Sequence, residues 1–100
     1  MTSMTFEEFE TQSLNSGFNE VIERVWEPDL TLEGHTHPYD VHVFLAEGEL
    51  WLTKHGVTQH VTAGQDFTLA AEEVHAERYG SEGATFWVAR KHKLLSLIHI

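Results

Sequence analysis

Cysteine is absent from this chain. That removes disulfide frameworks and thiolate metal sites, fits a reducing compartment, and sets the expectation of a cytoplasmic protein. Long apolar runs are missing too. No stretch approaches the roughly 18–20 apolar residues of a membrane span, so no membrane role is expected. The opening residues, Met1-Thr2-Ser3-Met4-Thr5-Phe6-Glu7-Glu8, show no basic region followed by an apolar one, which argues against a secretory signal. Basic residues are scarce: six Lys and Arg against sixteen Asp and Glu leave a formal charge of -10. Such a surface repels phosphate backbones, and nucleic acid is excluded as an expected partner. No internal repeat, low-complexity tract or interdomain linker interrupts the chain.

What is present suits one folded domain. One hundred residues, 41% of them hydrophobic and 11% aromatic, carry enough apolar chain for a single core. Thr5 to Gly17 reads as a short helix of about residues 5–16. Phe6, Phe9 and Leu14 share a face, Thr5 with Glu8 forms a capping box, and Gly17 suits the C-terminal cap. Glu20 to Glu27 alternates Val21, Glu23, Val25 against Ile22, Arg24, Trp26, a half-buried strand pattern broken by Pro28-Asp29. Val41 to Ala46 is nearly all apolar and predicts a central strand, with a turn at Glu47-Gly48-Glu49. Leu50 to Val61 predicts a hairpin with His55-Gly56 at its tip. Phe67 to Ala70, Val74 to Tyr79 and Ala84 to Arg90 complete the strands, the last two joined through Gly80-Ser81-Glu82-Gly83. Short strands at regular turn signals, with one N-terminal helix, point to an all-β antiparallel barrel or sandwich. The last six residues, Leu95 to Ile100, resemble translated sequencing-adapter sequence from an environmental read. The domain is therefore expected to occupy residues 1–94, with 95–100 as a non-native tail.

The chemistry concentrates in histidine. His35 and His37 stand one residue apart in Glu33-Gly34-His35-Thr36-His37-Pro38. On an extended strand alternate side chains face one way, so both rings can enter one cavity. His75 follows on a later strand, in Glu72-Glu73-Val74-His75-Ala76-Glu77-Arg78. Neutral imidazole is the commonest protein ligand for a transition metal, and three imidazoles leave a coordination position open.

These residues resemble the two motifs of the small single-domain cupins. The first motif runs histidine, any residue, histidine, then a glutamate and a later glycine; here it is His35-Thr36-His37 through Pro38-Tyr39-Asp40-Val41 to Gly48. The second starts at a glycine and reaches a histidine through a proline-containing turn; Gly64 to His75 matches it in spacing. The resemblance covers roughly residues 20 to 90. It implies an antiparallel double-sheet jelly-roll barrel, a metal held by His35, His37 and His75, and pairing through strand edges into a homodimer. The departures are specific. Val41 stands at the glutamate position with His42 beside it, Ala70 and Glu72 replace the proline and glycine of the second motif, and Tyr79 replaces its closing asparagine.

Two further residues stand near the metal set. Counting by twos from His37 puts Tyr39, Val41 and Val43 on the cavity side and His42 on the other face, unless a bulge resets the phase. His42 is thus a lesser candidate ligand. Glu77 shares parity with His75 and is a candidate fourth ligand, catalytic base or partner that orients an imidazole; an exposed pair with Arg78 is the alternative. Asp40 reads as a turn acid, and His55, His60 and His92 as surface residues. Trp26, Trp51, Trp87, Phe44 and Phe86 read as core. The expected function is metal-dependent chemistry on a small organic molecule, as a dioxygenase with iron or an isomerase with zinc, nickel or manganese. A non-catalytic module that binds a small molecule or a metal, and a metal-free barrel, are the alternatives.

Overall fold

In the computed structural model, residues 4–92 are described. One helix, α1 (Phe6–Asn15), precedes six strands: β1 (Glu20–Trp26), β2 (Thr31–His35), β3 (Asp40–Lys54), β4 (Val57–Thr62), β5 (Asp66–Leu69) and β6 (His75–Lys91). All pairings are antiparallel.

The helix begins where the capping box places it. The Thr5 side chain accepts from the Glu8 backbone N–H, and the Glu8 carboxylate accepts from the Thr5 N–H. It ends in a Schellman motif: Phe18 N–H reaches Ser13 O, Gly17 N–H reaches Leu14 O, and Gly17 takes φ +98°. Phe9, only 1% exposed, packs against Phe44 and Trp87 on the outside of the barrel. Burying one such ring contributes about 2 kcal/mol.

Two strands organise everything else. β3 is continuous over 15 residues and β6 over 17. They pair along their whole length with register shifts at Leu45/Glu47 and Gly48/Leu50, where both bend from one sheet into the other. The segments Glu47-Gly48-Glu49 and Gly80-Ser81-Glu82-Gly83 are therefore bends within long strands, a correction to the turns expected there. Glycine is required at both bends. Gly48 has φ +87°, and a Cβ there would sit 2.2 Å from Gly83 O; Gly83 has φ +72°, and a Cβ there would sit 2.5 Å from Trp26 O. One sheet then runs β1, the C-terminal half of β6, the N-terminal half of β3, and β5. The other runs β2, the N-terminal half of β6, the C-terminal half of β3, and β4.

Between the sheets lies the main core: Leu45, Leu50, Leu52, Val61, Tyr79 and their neighbours. Alternation explains which side chains enter it. Leu50 and Leu52 point in, so Trp51 points out, where it stacks on His60 and lies under the Arg78 guanidinium. Trp51 is thus not a core residue. The hairpin tip is as expected: His55 and Gly56 both have positive φ, the signature of a two-residue primed turn that matches strand twist. No helix among the described residues is long and apolar enough to cross a membrane. The proposed tail, Leu95 to Ile100, lies outside the described residues.

Candidate metal centre

The antiparallel register places His35 directly opposite His75, after an irregularity between Leu32 and His35. Their ring centroids are 4.2 Å apart, and His37 lies 5.0 Å from His35 and 5.1 Å from His75. One nitrogen from each ring can be chosen so that all three lie within 4.8 Å of one another. The chain beyond His37 is clamped to the turn before β6. Glu72 N–H donates to His37 O at 2.7 Å, and Ala71 N–H donates to Asp40 Oδ1 at 2.7 Å. Glu72, at the family's glycine position, adopts φ +64° itself. The turn survives loss of glycine by holding a glutamate in the left-handed region, which costs about 1 kcal/mol.

Hydrogen bonds fix the tautomers. His35 Nδ1 lies 2.8 Å from Glu33 O and His75 Nδ1 lies 3.0 Å from Glu73 O. A carbonyl only accepts, so each Nδ1 carries the proton and the neutral ring directs its Nε2 lone pair inward. His75 is 2% exposed, and its Nε2 has no hydrogen-bond partner among the described residues. A buried, unpartnered acceptor beside two further imidazoles is costly unless something occupies it. This donor set fits a divalent transition metal: three imidazole nitrogens, two of them oriented by backbone carbonyls.

Glu77 points inward with His75, as shared parity requires. Its Oε2 stands 3.5 Å from His75 Nε2 and 3.8 Å from His35 Nε2. Those separations are too long for good hydrogen bonds, and the carboxylate favours the protonated form of the neighbouring ring. Its other oxygen, Oε1, accepts from the buried Tyr79 hydroxyl. The Glu77 carboxylate, with the Glu73 carbonyl helping, holds His75 above the usual imidazole range against the opposing effect of burial. Burial, then the charges of His75 and His35, push His37 below that range. Burial raises the Glu77 carboxyl, but the attraction of His75 and the Tyr79 hydroxyl outweighs it and leaves the pKa below the usual value. Burial first, then the Glu77 charge, raises Tyr79.

His42 does not join the cluster. It sits one residue out of phase with Val41 and Val43, on the outer face, where Nε2 lies 2.6 Å from Asp66 Oδ2 and the ring packs near Phe9 and Phe18. Alternation within β3 decides this: Val41 and Val43 line the cavity, so His42 between them faces out. Val41 occupies the inward position and supplies no ligand. His55, His60 and His92 lie outside the site, each beside a carboxylate: Glu73, Glu49 and Glu20.

The three histidines line the wall of an inter-sheet cavity of about 270 Å³. Trp26, Tyr39, Tyr79 and Phe86 face it, and so do two arginines, Arg24 and Arg90. Sequence reasoning passed over those arginines, although a signal was present. Arg24 alternates with Ile22 and Trp26, and Arg90 with Phe86 and Val88, all on inward positions.

Two bent strands shared between facing sheets, enclosing a histidine-lined cavity, define the cupin fold. Solved structures agree. An RmlC-like cupin from Shewanella frigidimarina superposes with a TM-score of 0.65 at 17% identity, covering 77% of this chain and 69% of its own. A double-stranded β-helix protein from Klebsiella pneumoniae gives 0.63 at 21% identity, covering 74% and 67%. A structure described among DMSP lyases gives 0.67 at 18% identity, covering 76% of this chain and 40% of its own. At these identities the likeness is one of fold. No protein-family model matches the chain, and no curated protein matches it by sequence.

Proposed function

We propose that this protein is a metal-dependent cupin acting on a small organic molecule, with one divalent transition ion held by His35, His37 and His75. The observation that carries this reading is the buried His75 Nε2, unpartnered and aimed at two other imidazoles while its Nδ1 is fixed by a carbonyl. When bound, the ion supplies Lewis-acid polarisation of a substrate oxygen in a position the protein leaves open.

The chain's own residues favour proton transfer over the oxygen chemistry also expected. Glu77 is an ionised carboxylate beside the histidines, its Oε1 tied to Tyr79 and its Oε2 facing His75 and His35 at 3.5 and 3.8 Å. The pinned oxygen fixes the carboxylate plane, so Oε2 presents a defined basic atom to a substrate C–H or O–H. Trp26, Phe86 and Val88 line the apolar side of the cavity. The reaction class is isomerisation or elimination through a carbanion or enolate. A structural neighbour described as a lyase fits that class.

The test uses untagged protein loaded with Fe, Zn, Ni or Mn and a panel of β-dicarbonyl and 2-hydroxy acid compounds in D₂O. Metal-dependent exchange of the acidic C–H, seen by NMR, is expected. Glu77→Gln should lower its rate about 10²–10⁴-fold with metal content unchanged. Exchange that persists in Glu77→Gln removes the base assignment. Metal-dependent binding without exchange or turnover of any compound would make the protein a binding module instead.

A further inference from the structure

Six basic residues serve the whole chain, and two of them, Arg24 and Arg90, face the histidine cavity. In a protein of formal charge -10 this placement needs a reason. A guanidinium on a strand edge normally sits in water or against a carboxylate; burying part of one beside a metal site costs desolvation unless an anion compensates it. Arg90 meets Glu20 through Nη1 only, at 3.3 Å, and its Nε is buried without a partner. Glu20 is itself shared with His92 at 2.6 Å. Arg24 lies over the Trp26 ring at 4.8 Å and has no carboxylate within 4.0 Å among the described residues.

The position of Arg90 is tied to the metal site by stacked rings. His37 stacks on Tyr39 with centroids 5.3 Å apart and planes 14° apart, and the Arg90 guanidinium lies 5.5 Å from the Tyr39 ring. One aromatic ring therefore separates a candidate ligand from a fixed cation. Two guanidinium charges line the cavity wall, and a divalent ion at the histidines would add two more. Glu77 and the shared Glu20 offset only part of this.

We infer that the cavity selects an organic anion, a small carboxylate, with Arg90 and Arg24 as the specificity-determining cations. A carboxylate accepts from the fork of a guanidinium in two parallel bonds, which a neutral amide of the same shape cannot reproduce with equal strength. Arg24 and Arg90 act on substrate choice, not on metal binding, since neither touches the three histidines within hydrogen-bond distance. The inference rests on the proposed function for the cavity's role, but its test separates the two.

The experiment is calorimetric titration of the whole chain, zinc-loaded and metal-free, with acetate, malonate, succinate, glutarate and benzoate, each beside its neutral amide. At least one carboxylate should bind about tenfold or more tightly than its amide. Arg90→Gln and Arg24→Gln should each reduce that preference severalfold, with zinc still at its wild-type stoichiometry by elemental analysis. Equal binding of every acid and amide, or no binding by any acid, overturns the inference, as does a preference that survives both substitutions. Should either variant fail to fold, the acid–amide comparison on the wild-type protein still decides. Zinc binding that fails while the metal-free protein keeps its carboxylate preference would sink the metal reading alone.

Discussion

Replacing Tyr79 with Phe isolates the one hydroxyl that holds the candidate base. The ring is fully buried and packs near Trp26 and Phe86, with centroids 6.3 and 6.1 Å away, so Tyr79→Phe keeps the packing and removes only the oxygen. That oxygen donates to Glu77 Oε1, and Glu77 is itself only 11% exposed, so water does not replace it well. A buried hydrogen bond to a charged acceptor is worth about 1.5–3 kcal/mol, and a loss of about 2 kcal/mol at pH 7 is expected. The pH dependence gives the sharper check. Glu77 has a folded pKa below the ordinary 4.5, so its stabilisation is fully present above that value and is lost as pH falls through the folded pKa. Tyr79→Phe removes one cause of that depression. The gap between wild type and variant should therefore be constant from pH 7 to about 5 and narrow below 4.5. Urea unfolding of chelator-treated protein, followed by tryptophan fluorescence across that range, measures it. A loss below about 0.5 kcal/mol, or a gap that ignores pH, refutes the view that Tyr79 holds an ionised Glu77.

Three further outcomes follow from particular contacts. Gly48→Ala should destabilise the fold by more than about 2 kcal/mol in urea melts, because its Cβ would overlap Gly83 O in a left-handed conformation; a neutral effect would mean the two bends do not pack as described. His42→Ala should leave metal stoichiometry unchanged by elemental analysis, since its ring faces Phe9 and Asp66, outside the cavity. Metal affinity should rise with pH, about tenfold per unit while one proton is displaced. His75 sets that slope, because the Glu77 carboxylate raises its pKa and a proton on Nε2 competes with the ion for the same lone pair; burial lowers His37, which competes less. Competition titrations between pH 6 and 8 read the slope.

Much of the site was legible because strand parity is strict. Counting by twos placed His35, His37, Tyr39, Val41 and Val43 on one face, turned His42 away, and put Glu77 with His75; the same arithmetic extends to Tyr79. The helix was legible because Thr5, Glu8 and Gly17 each carry a local signal that no distant contact overrides. The bends were not. Gly48 and Gly83 signal positive φ, but a turn and a strand bulge both demand it, and only the partner strand across the sheet distinguishes them. Trp51 was misjudged because size suggested burial while Leu50 and Leu52, its neighbours, already claimed the inner face. The arginines were missed for a similar reason: charge suggested solvent, while their alternation with Ile22, Trp26, Phe86 and Val88 pointed inward.

Elemental analysis of protein purified without a histidine tag reaches the central claim most directly. About one transition metal ion per chain is expected in the wild type, falling to background in the His35→Ala/His75→Ala double variant that still folds by circular dichroism. Background metal in the wild type after incubation with Fe, Zn, Ni and Mn, or full occupancy in the double variant, would contradict a centre built on these imidazoles.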